Sequence, residues 1–326
     1  MRTHPPRAHP QRSVLVAAAA VALATVSVLA LPRPAGAAES SPVGFGAGTT
    51  GGGSATAVTV STLDAFKSAV SGSTAKVVKV NGLISLSGQV DVGSNTTVLG
   101  VGSSSGFTGG GLRLKKVTNV VVRNLNISKP VAPSDGITVQ ASTKVWIDHN
   151  AFSADRDHDK DYYDGLLDIT HASDYVTVSW NTFKDHYKGS LVGHSDNNAG
   201  EDTGHLRVTY HHNWFDNVNS RIPSLRFGTG HFYDNYVVGA ATACHSRMGA
   251  QMLVENNVFR STQVAVTTTR DSDEDGYANL RGNDLGGAAT EISQVGTFTS
   301  PPYSYTAEPA SSVVASVTSG AGAGKI

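Results

Sequence analysis

The chain has 326 residues, with 25 Lys and Arg against 26 Asp and Glu, and a single cysteine, Cys244. A near-neutral balance without Lys/Arg runs argues against a nucleic-acid partner. A lone cysteine rules out an intrachain disulfide, so packing and backbone ladders must hold the fold.

Arg2, Arg7 and Arg12 precede an apolar run from Val14 to Leu31, followed by Ala35-Gly36-Ala37. This reads as a secretory leader over 1–38, cut after Ala37 or Ala38. A membrane anchor is the alternative, but the Ala-rich run and small-residue exit favour cleavage. Four of the 25 basic residues lie in the leader, leaving 21 against 26 acidic ones in a secreted chain. Segment 39–56 is rich in Gly, Ser and Thr and reads as an irregular entry. Thr62 to Val70 predicts a helix: Ser61 or Thr62 caps it, Leu63, Phe66 and Val70 share a face, and Gly72 stops it. A short helix ahead of a repeat array is expected to cap its open end.

After residue 72 the chain reads as strand upon strand, with no long helix. Val145-Trp146-Ile147-Asp148-His149-Asn150-Ala151-Phe152 recurs as Val176 to Phe183 and as Val208 to Phe215, with looser copies at Val120 to Asn124, His231 to Asn235 and Met252 to Phe259. Steps between the Asn residues at 124, 150, 181, 213, 235 and 257 are 26, 31, 32, 22 and 22. A fixed minimum with occasional growth predicts a parallel β-helix with loops inserted at one corner. A β-sandwich is the alternative, but its hairpins seldom repeat one plan. The Asn residues are expected to turn the corner in the left-handed conformation and to form a side-chain ladder, with Phe152, Phe183 and Phe215 stacked behind them. The body then spans 39–300. The tail, 301–326, is expected partly packed on the coils and partly disordered.

Between these copies lies a second strand per coil: Asp135 to Val139, Asp164 to Thr170, Lys188 to Gly193 and Arg221 to Gly228. In-register stacking would put Asp135, Asp164, Asp168, Lys188, Arg221 and Arg226 on one surface. Three hard oxygen ligands without a nearby Cys suit Ca²⁺, although a solvated acidic strand explains the same residues. One Lys and two Arg beside them make a receptor for an acidic polymer. Asp271-Ser272-Asp273-Glu274-Asp275-Gly276 imitates half an EF-hand loop, but Gly282 stands where its closing Glu belongs. His211-His212 should point to opposite faces of a strand and serve structure.

Trp146-Ile147-Asp148-His149, Asp164-x-x-x-Asp168, Asp185-His186-Tyr187-Lys188 and Arg221-Ile222-Pro223-Ser224-Leu225-Arg226-Phe227-Gly228 resemble the secreted pectate lyases of polysaccharide lyase family 1. The resemblance covers roughly residues 44–283. It implies a right-handed parallel β-helix acting as a monomer on polygalacturonate, by calcium-dependent β-elimination that leaves 4,5-unsaturated products. It further implies that Asp135, Asp164 and Asp168 bind the metal, that Lys188 and Arg226 hold the uronate carboxylate, and that Arg221 is the base. Asp148 and His149 sit on the Asn-bearing strand and read as structural. Pro133 occupies a place where some members carry another acid, which implies a calcium site completed in larger part by substrate. A pectin lyase should lack the calcium acids, and a polygalacturonase would use closely placed carboxylates as acid and base. A non-catalytic pectin-binding protein would not need Arg221.

Overall fold

The computed structural model describes residues 38–326 together with Met1, Arg2 and His4; the expected leader falls almost wholly outside the described residues. From Ala57 onward short strands follow one another through three parallel sheets, of ten, nine and eight strands among the described residues. Each coil visits the ten-stranded, then the eight-stranded, then the nine-stranded sheet. Thr143–Asp148, Ala151–Ser153 and Leu167–Thr170 make one such coil. This is a parallel β-helix.

β-branched and aromatic residues at alternate positions explain the strands, because they fill a pleated face that is half buried. Val122, Ile147, Val178, Tyr210, Phe232 and Val254 pair in register from coil to coil and point inward. Behind them Phe152, Phe183 and Phe215 stack with ring centroids 4.8 and 4.6 Å apart and nearly parallel planes. The helix Leu63–Val70 forms where expected, with the Thr62 hydroxyl accepting from the Ala65 amide. It buries Phe66, which packs on Phe107 at 4.7 Å, and so closes one end of the core.

The Asn ladder is present, and its geometry corrects the reason for it. Left-handed backbone falls one residue earlier, at Asn124, His149, Trp180, His212, Asp234 and Asn256. The ladder is built by the next residue in each coil: Asn150, Asn181, Asn213, Asn235, Asn257 and, beyond the expected run, Asn283. Each of the first five side-chain amides donates to the next Oδ1 at 2.9–3.0 Å, and each of the five backbone amides donates to the same oxygen. Asn is selected here for an amide that both donates and accepts, not for its own backbone. Asn124 belongs to the corner column, and Leu125 takes the ladder position, donating its amide to Asn150 Oδ1.

Three further expectations change. The insertions leave from two corners, not one: 154–166 leads into the nine-stranded sheet and 193–206 leads out of it. They flank that sheet on opposite edges. A helix, Ala310–Gly320, forms where no long helix is expected, with Val313 and Val317 packed toward Val258, Trp214 and Tyr236. Beyond it, Gly322 donates to the Trp180 carbonyl and Gly324 to Asn124 Oδ1. The rings of His211 and His212 meet, Nδ1 to Nδ1 at 3.0 Å, because left-handed backbone at His212 breaks the strand alternation. No helix among the described residues is long and apolar enough to cross a membrane.

Candidate active site

Four successive corners at one edge of the nine-stranded sheet bring most of the expected residues together. Gly136 donates to the Gly165 carbonyl, Leu166 to that of Lys188, Gly189 to that of Ser220, and Ser190 to that of Arg221. Asp135, Asp164, Lys188 and Arg221 therefore sit on consecutive coils, about 4.8 Å apart along the stack. Asp168 follows on the strand Leu167–Thr170 and pairs with Thr138. Lys188 does not begin the strand of its coil in the nine-stranded sheet. It ends Thr182–Lys188 in the eight-stranded sheet, opposite Ser220, and reaches the site from the corner.

Asp135 and Asp168 face each other across Gly165. A Cβ on that glycine would lie 2.4 Å from Asp168 Oδ1 and 3.0 Å from Asp135 Oδ1, so a side chain there would push the two carboxylates out of this arrangement. Asp135 is pinned by the Thr138 hydroxyl at 2.6 Å and the Gly165 amide at 3.0 Å. Burial, and after it the charge of Asp168, pushes the Asp135 carboxyl up. Burial likewise raises Asp168, while the charge of Arg221 pulls it back. Two half-buried carboxyls this close repel each other when both are ionised, and a cation between them would relieve that repulsion. Asp164 turns the other way, with Oδ1 3.3 Å from Lys188 Nζ. Among the described residues no three acidic, His or Cys groups converge closely enough to cage a metal unaided. The donor set still fits Ca²⁺: two facing carboxylates, a third within one coil, and oxygen throughout.

The cations divide in a way the sequence does not reveal. Lys188 Nζ is shared between Asp164 and Asp161, the latter at 3.1 Å. Arg226 lies at the far end of its strand and is 8% exposed; its Nε donates to Asp196 and its Nη1 to the Gly193 carbonyl. Arg247, one coil on and in register with Arg226, donates to Ser272 Oγ and to the Asp271 carbonyl. Of these four, only the Arg221 side chain makes no hydrogen bond or ion pair among the described residues. Its backbone is left-handed, φ +59°, which turns the chain sharply ahead of Ser224–Arg226.

Two residues escape the sequence reading. Asp196 joins the 193–206 insertion to the 271–276 stretch beside Arg226: besides that arginine it accepts from Ser272 Oγ at 3.0 Å and from the Asp273 amide at 3.2 Å. The half-EF-hand stretch is thus tied down by Asp196 and Arg247. His186 is buried, and its Nδ1 accepts from the Lys188 amide at 2.8 Å. Burial and then the Lys188 charge push its pKa down to about 4, so it pins the Lys188 turn as a neutral ring. The quoted motif Asp185-His186-Tyr187-Lys188 contains it, but nothing in the motif states what the ring touches. On another face, Asp148 is fully buried against Arg123, His149 and Ser179, a structural role as expected.

A family model described as pectate lyase matches residues 13–326. Pectate lyase A of Aspergillus niger is 50% identical over 277 residues, 84% of each chain. Probable pectate lyase A of Aspergillus fumigatus is 51% identical over 260 residues, 79% of each chain. Among solved structures, the pectate lyase of Bacillus sp. N165 in complex with trigalacturonate superposes with a TM-score of 0.81 at 34% identity, covering 87% of this chain and 99% of that one. Pectate lyase II of Xanthomonas campestris gives 0.74 at 30%, covering 87% and 98%. With a β-helix whose acid and cation rows share one corner, and with relatives at half identity along four-fifths of its length, the chain belongs to the pectate lyase family and is a polysaccharide lyase.

Proposed function

We propose that the protein is exported behind its cleaved leader and splits polygalacturonate by calcium-assisted β-elimination. The observation that carries this reading is the Arg221 side chain, without a hydrogen bond or ion pair among the described residues, beside the facing pair Asp135 and Asp168. Asp135 and Asp168, with Asp164 swinging in from Lys188, would hold Ca²⁺ together with oxygens of the substrate. The ion would supply charge neutralisation at a uronate carboxylate, which makes the neighbouring C5 proton more acidic. Lys188 would release Asp161 or Asp164 and take the same carboxylate, stabilising the charge that develops as the proton leaves. Arg221, in its deprotonated form, would take the C5 proton and become guanidinium; the C5–H electron pair forms the C4–C5 double bond as the C4–O4 bond breaks, and the departing O4 takes a proton from water. Arg226 is held by Asp196 and presents only what remains of its fork, so it acts as a fixed contact at the edge of the site.

The test is incubation with polygalacturonate, with and without chelator, followed by ultraviolet absorbance. A conjugated double bond should appear, vanish with chelation and return with Ca²⁺. Saturated ends alone would mean hydrolysis and overturn the reading.

Calcium should also show itself in stability. Asp135 is pushed up to about 8, far above the ordinary 3.8. A carboxyl raised on folding lends stability at low pH and loses it as pH climbs toward the folded value. Between pH 6.5 and 8 the calcium-free site should therefore become a growing burden that Ca²⁺ relieves. The rise in Tm on adding Ca²⁺ should be larger at pH 8 than at pH 6.5, as read by thermal denaturation; an equal rise would detach Asp135 from the metal.

A further inference from the structure

We infer that Arg156 forms a second carboxylate-binding subsite, flanking Lys188, for a neighbouring uronate of the same polymer; the inference rests on the polyuronate reading above. Arg156 lies in the 154–166 insertion and folds back over the outer face of the eight-stranded sheet. Its guanidinium sits 4.7 Å over the Tyr187 ring. Nη1 donates to Asn217 Oδ1 at 2.8 Å and Nη2 to Asn219 Oδ1 at 3.4 Å, while the Tyr187 hydroxyl donates to the Arg156 carbonyl at 3.1 Å.

This is a built position. Asn217 gives its amide group to Asp185 at 2.8 Å, which fixes its oxygen toward Arg156. The root of the loop is tied by Asp155, which holds Lys129 at 3.1 Å, His158 at 2.6 Å and the Tyr163 hydroxyl at 3.0 Å. Tyr187 immediately precedes Lys188, and Asn219 stands two residues before Arg221, so both supports of Arg156 lead directly into the reacting corner.

Its partners are what set Arg156 apart. Lys129, Lys184, Lys188 and Arg226 around the same insertions each face a carboxylate. Arg156 has no ion pair among the described residues; its fork is held by neutral amide oxygens and an aromatic face. Amides orient a guanidinium without cancelling its charge, and the stacked ring lowers the entropy of holding it. A preorganised, uncompensated cation beside an acidic-polymer site is suited to one carboxylate more than the reaction itself uses.

The experiment compares wild type, Arg156→Gln and Arg156→Lys on polygalacturonate in the presence of Ca²⁺. Arg156→Gln should raise KM about tenfold, the size of one charge-assisted contact, with kcat within about twofold. Arg156→Lys, which keeps the charge, should recover part of that loss. A glutamine variant with wild-type Tm and wild-type KM would overturn the subsite, as would a lysine variant no better than glutamine. Wild type is the control for the underlying function: if it does not cleave the polymer, the polyuronate reading itself falls, whereas active wild type with an unaffected Arg156→Gln removes the subsite alone.

Discussion

Replacing Arg221 with lysine should lower kcat on polygalacturonate by roughly 10²–10⁴-fold, the usual worth of a positioned general base, while KM moves little. The substitution keeps a basic group in place, so its pull on Asp168 and the proposed metal site should be preserved. What it removes is the planar fork and its reach. Since the Arg221 side chain has no hydrogen bond or ion pair among the described residues, no structural contact is lost with it, and the folded state should be untouched. Lys188→Ala and Arg226→Ala should behave differently. Lys188→Ala removes the cation shared by Asp161 and Asp164, and Arg226→Ala removes one of several partners of Asp196; each should raise KM, and Lys188→Ala should also lower kcat through poorer stabilisation of the developing charge. Initial rates from ultraviolet absorbance, paired with circular dichroism, separate the cases. A near-normal kcat for Arg221→Lys would move the base elsewhere, with Lys188 the next candidate.

Asn213→Ala should cost about 3–5 kcal/mol of folding stability, several buried polar groups losing their partners at ~1–3 kcal/mol each. Asn213 Oδ1 accepts from the backbone and side-chain amides of Asn181, both at 3.0 Å. Its Nδ2 donates to Val178 O, His211 O and Asn235 Oδ1. All of these are buried, and alanine answers none of them. Because a protein's whole stability is typically ~5–15 kcal/mol, the change should be plain in a denaturant midpoint. Asn283→Ala is the control: it ends the ladder and is partly exposed, so water can replace it and the loss should be under half as large. Equal losses at the two positions would mean that the ladder adds nothing beyond single hydrogen bonds.

These cases mark what a reader of the sequence could and could not see. The coil, the Phe stack and the side-by-side placing of Asp135, Asp164, Lys188 and Arg221 are legible because one plan recurs at fixed spacing, and spacing alone sets the register. The left-handed corner is misplaced by one residue because Asn is a good candidate for that conformation wherever it stands. His149, Trp180 and His212 do not advertise it. Asp196 and Arg156 are invisible for another reason: each acts by reaching from an insertion onto a neighbouring coil, and no local pattern encodes such a path. The helix Ala310–Gly320 buries only Val313, Val317 and Gly320, with Val314 at the margin among Ser, Thr and Ala, too thin a stripe to stand out.

Insertions at both edges of the nine-stranded sheet have an evolutionary consequence. The 22-residue coils from Asn213 to Asn257 show that a turn of the solenoid closes without extra chain. The longer steps from Asn150 to Asn213 carry 154–166 and 193–206 as cargo, leaving the ladder and the Phe stack in step. Asp135, Asp168, Lys188 and Arg221 ride on the recurring coils, whereas Arg156, Asp161, Asp164 and Asp196 ride on the cargo. Selection can therefore lengthen, shorten or exchange either insertion and retune which polymer is gripped, provided that Asp164 at the end of the first is kept.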